Sequence, residues 1–319
     1  MEKQATFNFK NVMVYHHDDL DGYAAAAAVY HGIKESYPDD VKIDFKAIGF
    51  PTTWETFAYN TDPAMYDEIY IVDYSFTNAT IQHLLKLAES SHVNWIDHHA
   101  SSGTAVDVLM LDDVATDNIR YCVDFTHSGA WLAWVYTHST PVPEMIKLVD
   151  DYDRWIHSDP RSELVNDAFF ASNELHDPSS IEWLRLLENS SDTNNYIIQL
   201  VSEGTTIAKY REMLYEQHRR FAFKVKIKDF EQYSAIALND YGNSKCFGDL
   251  VKQYDICVLF HTARPGEVAM SLYCDPEILA VKDINVSKIA IKYGGGGHPG
   301  AAGCSMSQKQ FNEVFIPVE

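Results

Sequence analysis

The sequence predicts an α/β protein in which a parallel-sheet N-terminal domain is joined by a helical linker to a smaller α/β C-terminal domain. Three observations predict it. The length of 319 residues favours two cores over one. Through the first half, short apolar runs alternate with helical patterns, as parallel strands covered by helices do. From Phe223 onward the pattern turns β-rich. The expected division is residues 1–190, a linker over 191–222, and 223–319.

Residues 12–15 form the first expected strand, followed over 23–33 by a helix whose five successive alanines suit a closely packed face. Residues 69–72 give the next strand, stopping at Asp73, after which Thr77 and Asn78 can cap a helix over 81–87. A third strand over 92–96 stops at Asp97. Helices are expected over 130–136 and 144–155, the second introduced by Pro143. The pattern weakens across 158–195, and a long helix over 196–221 then reads as the connector. Beyond it, strands are expected at 224–227, 233–238, 256–261 and 268–273, with a helix over 286–291.

Forty-six acidic residues against 25 basic ones give a formal charge of −21, a field that repels a long polyanion. A small or short phosphorylated substrate fits better than long duplex nucleic acid. The five cysteines, Cys122, Cys246, Cys257, Cys274 and Cys304, are scattered and without a C-x-x-C pair. That argues against a disulfide framework or a zinc–thiolate site and suits a reducing cytoplasm. Residues 1–10 carry no signal-peptide core, and the apolar run at 24–29 is too short to span a bilayer. The expectation is a cytoplasmic protein with no membrane partner; a homodimer is compatible with the sequence.

The chemistry-bearing residues stand just past the strand ends, the edge at which ligands bind in open α/β sheets. His17, Asp19 and Asp21 alternate, so they share one side if the chain stays extended. The competing reading is an acidic loop with a capping aspartate. Asp73 by itself is a turn residue as readily as a ligand. Asp97-His98-His99 is a stronger signal, because paired imidazoles beside a carboxylate are unusual in a turn. Asp150, Asp151 and Asp153 lie at a helix end, where a solvated face paired with Arg154 is the alternative. Residues 294–303 hold four consecutive glycines, which cost conformational entropy and make sense where backbone must approach a phosphate. Oxygen ligands with imidazoles and no thiolate suit Mn²⁺ or Mg²⁺, with Fe²⁺ or Co²⁺ as substitutes.

In this order, from His17 to Gly303, the motifs resemble the DHH phosphoesterase superfamily with its C-terminal DHHA1 companion domain. The form His-x-Asp-Leu-Asp-Gly is most similar to the branch acting on short oligoribonucleotides (nano-RNases) and cyclic nucleotides. The resemblance implies two Mn²⁺ ions: His17 and Asp19 hold one, Asp21 and His98 the other, and Asp73 bridges. It also implies one carboxylate from the fourth motif. Asp151 is favoured because Trp155 follows it by four positions, with Asp150 and Asp153 left open. Asp97 would support the cluster and His99 would face the substrate phosphate. The loop of Gly295, Gly296, Gly297 and His298 would bind substrate from the second domain. One departure is Tyr273, where relatives carry a phosphate-gripping arginine; Arg264 or Lys292 could compensate.

The expected activity is hydrolysis of short RNA to 5′-mononucleotides by a two-metal mechanism. The alternatives are cyclic mono- or dinucleotides, or 3′-phosphoadenosine 5′-phosphate, on the same scaffold. A catalytically lost nucleotide-binding protein is disfavoured by intact residues at every motif. An inorganic pyrophosphatase is disfavoured by the glycine loop.

Overall fold

The computed structural model describes residues 10–37, 41–49, 52–111, 117–188 and 190–318. Most of the N-terminal stretch read for a signal peptide lies outside them. The chain divides into two units at Ile207/Ala208.

In the first unit the elements run β1 (Asn11–His17), α1 (Leu20–Ser36), β2 (Lys42–Ile48), α2 (Trp54–Ala58), β3 (Glu68–Val72), α3 (Ile81–Leu87), β4 (His92–Asp97), α4 (Gly103–Leu109) and β5 (Ile119–Val123). Helices α5 (Gly129–Thr137), α6 (Glu144–Asp153), α7 (Pro160–Phe169) and α8 (Ile181–Leu187) follow. The five strands form one parallel sheet in the order β2-β1-β3-β4-β5. Strand β3 is buried along its whole length, as a parallel strand covered on both faces should be.

One core packs α1, α5, α6 and α8 on one face of the sheet, and another gathers Tyr15, Phe57, Phe76 and Trp95 on the other. The alanines at 24–28 are buried, which lets α1 lie close against α5. The cap expected from Thr77 and Asn78 differs in form: Thr80 is the N-cap of α3, and Ile81 donates its amide to the Thr77 carbonyl at 2.9 Å.

The long helix α9 (Ser191–His218) begins five residues before the helix expected over 196–221 and carries the division between the units within it. The second unit contains β6 (Phe223–Ile227), β7 (Ala235–Asn239), β8 (Ile256–Arg264), β9 (Glu267–Tyr273), α10 (Pro276–Lys282), α11 (Val286–Lys292), β10 (Gly296–Gly297), β11 (Ala301–Ser307), α12 (Gln308–Val314) and β12 (Phe315–Pro317). Its sheet has the order β10-β11-β9-β8-β7-β6-β12, antiparallel except for the β7–β8 pair.

Among the described residues, no helix is long and apolar enough to cross a membrane. All five cysteines are free thiols.

Candidate metal centre

Because all strands of the first sheet run parallel, the residues that follow β1, β3 and β4 are delivered to one edge. His17 ends β1. The chain does not stay extended beyond it: α1 begins at Leu20, and Asp19 is its N-cap, with Oδ1 accepting from the Gly22 amide at 2.9 Å. Glycine is required at 22, since a Cβ would lie 2.2 Å from the His17 carbonyl oxygen. Asp19 Oδ2 meets His17 Nδ1 at 2.7 Å, so this aspartate is a cap and a member of the cluster at once. Asp21 arrives from the first turn of α1. Its two oxygens accept from the amides of Gly129 and Ala130 at 2.6 and 2.9 Å, where the N-terminus of α5 favours negative charge.

Asp73 leaves β3 with φ of 52°, a left-handed conformation rare outside glycine and asparagine. Strain of this kind gathers at functional sites. A Cβ on Gly129 would lie 2.6 Å from Asp73 Cβ, so α5 approaches this aspartate only through a glycine. Asp73 Oδ2 lies 4.0 Å from His17 Nδ1, while Oδ1 lies 3.2 Å from His98 Nε2 and 3.9 Å from His99 Nδ1. Its two oxygens thus face two different groups. Asp97, fully buried, accepts from His99 Nδ1 at 2.8 Å and, through its other oxygen, from the Ser102 hydroxyl.

The fourth motif resolves differently from the sequence expectation. Asp151 does not join the cluster; its carboxylate accepts from the Ser158 amide at 2.9 Å, the Ser158 hydroxyl and the Asp159 amide at 3.2 Å. Burial opposes its charge, but those hydrogen bonds and one from Ser162 hold the carboxyl at about 2. Asp150 accepts from the Ser128 amide at 2.7 Å and pairs with Arg154, but it is buried rather than on a solvated face. Asp153, the last residue of α6, is the one that reaches in, with Oδ2 3.3 Å from His98 Nε2. Helix geometry explains the difference: positions 151 and 153 are about 200° apart around the axis, so only one can face the sheet edge.

Four buried atoms, Asp73 Oδ1 and Oδ2, His98 Nε2 and Asp153 Oδ2, have no hydrogen-bond partner among the described residues. Polar atoms left so are costly in a protein interior. Burial, then the charges of Asp21 and Asp19, pushes the Asp73 carboxyl well above its ordinary range. The same causes lift Asp153 to about 8. Burial also raises Asp21, against the pull of His98. His17 is raised by its hydrogen bond to Asp19, and His99 is raised because Asp97 outweighs its burial. The residues group as His17/Asp19/Asp73, Asp73/His98/His99 and Asp21/His98/Asp153, each offering atoms close enough to share one ion. Carboxylate oxygens with imidazoles and no sulfur suit Mn²⁺ or Mg²⁺, and divalent cations in these groups would satisfy the four atoms.

In the second unit, position 295 admits nothing larger than glycine: a Cβ there would lie 2.0 Å from the Gly303 carbonyl oxygen. Gly297, with φ of 138°, opens the turn in which the amide of His298 donates to the Ala301 carbonyl at 2.7 Å. Gly296 is different, because a Cβ there would meet nothing within 4 Å and its φ is not positive. Tyr273 ends β9 opposite Ala301 and Cys257. Lys292 is held by Asp229 at 2.5 Å, and Arg264 stands exposed at the end of β8.

This fold, whose first sheet is parallel in the order β2-β1-β3-β4-β5, is shared with a solved DHH-domain structure. The solved DHH-domain structure of a member of a ribosomal-protein family superposes on 95% of this chain and 85% of its own, with TM-score 0.61 and 15% identity. RecJ of Thermus thermophilus, solved in complex with Mn²⁺, gives TM-score 0.52 at 17% identity. That match covers 95% of this chain and 50% of RecJ. In sequence, the uncharacterized protein R106 of Acanthamoeba polyphaga mimivirus is 23% identical over 313 residues, covering 93% of this chain and 68% of that protein. No family model matches the chain.

Proposed function

We propose that this chain is a Mn²⁺-dependent phosphodiesterase that cuts short RNA oligonucleotides to 5′-mononucleotides. The observation that carries the reading is the convergence of Asp73, His98 and Asp153, whose facing atoms are buried and partnerless. RecJ, of the same fold, was solved with Mn²⁺ bound, which favours that metal here.

On this reading His17 and Asp19 hold one ion and His98 and Asp21 the other, with Asp73 shared between them. Asp153, rather than Asp151, provides the fourth-motif carboxylate. Two such ions would supply a water acidic enough to be hydroxide near neutral pH and would offset charge on the phosphate oxygens. The residues of the chain do the rest. Asp97 accepts a hydrogen bond from His99 Nδ1 and favours the imidazolium, whose Nε2–H would then donate to a phosphate oxygen. The amides of Gly129 and Ala130 orient Asp21. Asp151 braces the segment after Asp153, and Asp150 the start of α5, without touching the reacting atoms. Gly295, Gly296, Gly297 and His298 are assigned to substrate contact; at Gly296, where the chain itself does not demand a glycine, a ligand would.

The −21 charge favours short substrates, and the free thiols suit a reducing cytoplasm. The test is a substrate panel in Mn²⁺: di- to pentanucleotide RNA, cyclic mono- and dinucleotides, and 3′-phosphoadenosine 5′-phosphate, scored by product. Turnover of short RNA supports the proposal. Turnover confined to a cyclic nucleotide or to the monoester would replace the substrate while leaving the metal centre standing.

A further inference from the structure

We infer that the first unit carries a second, separate metal site, suited to Zn²⁺, formed by His31, Glu35 and His138. His31 and Glu35 stand one turn apart on α1, and His138 caps the end of α5. His31 Nδ1 lies 3.0 Å from His138 Nε2. The Glu35 carboxylate lies 3.9 Å from the first nitrogen and 3.8 Å from the second. These spacings are close to the edges, about 3.3 Å, of a tetrahedron with Zn–N and Zn–O bonds of about 2.0–2.1 Å. Asp21 lies ten residues before His31 on the same helix, which separates this site from the DHH cluster by about 15 Å.

The hydrogen bonds fix which nitrogen of His138 faces the site. Thr137 Oγ1 donates to the Ala133 carbonyl at 2.7 Å, so it can only accept from His138 Nδ1, 2.9 Å away. The Trp134 carbonyl, at 3.3 Å, is a second acceptor for that same proton. His138 therefore carries its proton on Nδ1 and presents a lone pair at Nε2. Without an ion, His31 Nδ1–H donates to this lone pair at 3.0 Å, with the Glu35 carboxylate beside both rings. A dication serves all three residues once that hydrogen moves to the other nitrogen of His31.

The surroundings are those of a built ligand. The His138 side chain is 1% exposed and stacked on Trp134, with ring centroids 3.7 Å apart and an interplanar angle of 6°. Donation of the far ring nitrogen to a backbone carbonyl is the usual support of a metal-bound imidazole. Gly32 makes the approach possible, because a Cβ there would lie 2.7 Å from Thr137 Cβ. Glu35 is 58% exposed, which leaves a side open for water as the fourth ligand. Two imidazoles and one carboxylate favour Zn²⁺ over Mn²⁺. A zinc ion here would tie together the far ends of α1 and α5, the two helices joined at their near ends by Asp21.

The test counts zinc in Mn²⁺-saturated protein after dialysis, by elemental analysis, in the wild type, His31→Gln and Glu35→Gln. We expect one zinc fewer per chain in His31→Gln than in the wild type. Glu35→Gln, a surface change that leaves folding intact, should weaken zinc by at least tenfold. Mn²⁺ content should be the same in all three. Equal zinc in the wild type and a folded His31→Gln would overturn the site, as would unchanged zinc affinity in Glu35→Gln. Because the readout is a difference in zinc, failure of the Mn²⁺ centre or of the RNA substrate would leave it unaffected.

Discussion

At Asp153 and Asp151, two carboxylates on one helix end have opposite environments, and their substitutions should part accordingly. Asp153→Asn should lose Mn²⁺ affinity and about 10² or more in kcat/KM, the scale of removing a main charge-stabilising group, with the melting temperature kept or raised. Asp151→Ala should instead cost about 1–3 kcal/mol of stability, because the Ser158 and Asp159 amides lose their acceptor. Calorimetry and kinetics on the two variants check this; a Mn²⁺ defect in Asp151→Ala with intact binding in Asp153→Asn would reverse the assignment. Asp73→Ala should likewise be far more damaging to activity than Asp150→Ala, since Asp73 faces both halves of the cluster while Asp150 holds the Ser128 amide.

The candidates from His17 to His99 stood out in the sequence because they fall at or just past strand ends of one parallel sheet. The choice within the fourth motif was not. Counting back from Trp155 carried over a spacing implied by the resemblance, whereas here α6 ends at Asp153, and Trp155 and His157 take φ of 57° and 49°. The bond between Asp21 and α5 was also hidden, since it joins residues more than a hundred positions apart. Ser128-Gly129 at a helix start was its one local sign.

At the scale of elements, the buried strands and the long helices were readable from periodicity, and the edges were not. Strand β2 reads Lys-Ile-Asp-Phe-Lys-Ala-Ile and is half exposed, so its apolar content falls short of a core strand. Strand β5 is exposed at the other edge of the sheet for the same reason. Strand β11 was concealed because Ala-Ala-Gly-Cys-Ser-Met-Ser offers small residues rather than β-branched ones. The glycine run beside it separates into structural and open positions. Gly295→Ala should lower the melting temperature, since its Cβ would collide with the Gly303 carbonyl. Gly296→Val should leave melting and Mn²⁺ content unchanged while raising KM and lowering kcat/KM. A Gly296→Val protein with wild-type kinetics would remove the loop from substrate contact.

Across the whole molecule, the cluster of like charges makes metal and stability interdependent. A carboxyl whose folded value is raised stabilises the fold in its protonated form, so the share of Asp153 is full below about 4 and is lost as pH rises through about 8. Asp73, Asp21, His17 and His99 shift in the same direction, and they outnumber buried His16, which is lowered to about 4 and opposes them between about 4 and 6.5. Metal-free protein should therefore melt at a lower temperature at pH 8 than at pH 5, and Mn²⁺ should remove most of that difference. Scanning calorimetry at the two pH values, with and without Mn²⁺, reads it directly; an apo protein more stable at pH 8 would contradict the electrostatics of the centre.

The most direct test of the account is hydrolysis of an RNA length series from dinucleotide to 24-mer at fixed salt, in chelator and after Mn²⁺ is restored. The account predicts no turnover in chelator and recovery with Mn²⁺. It also predicts 5′-mononucleotide products and kcat/KM highest at about two to five nucleotides, because longer strands meet an acidic surface. Full turnover in chelator after exhaustive metal removal, or equal or faster digestion of the 24-mer, would contradict it.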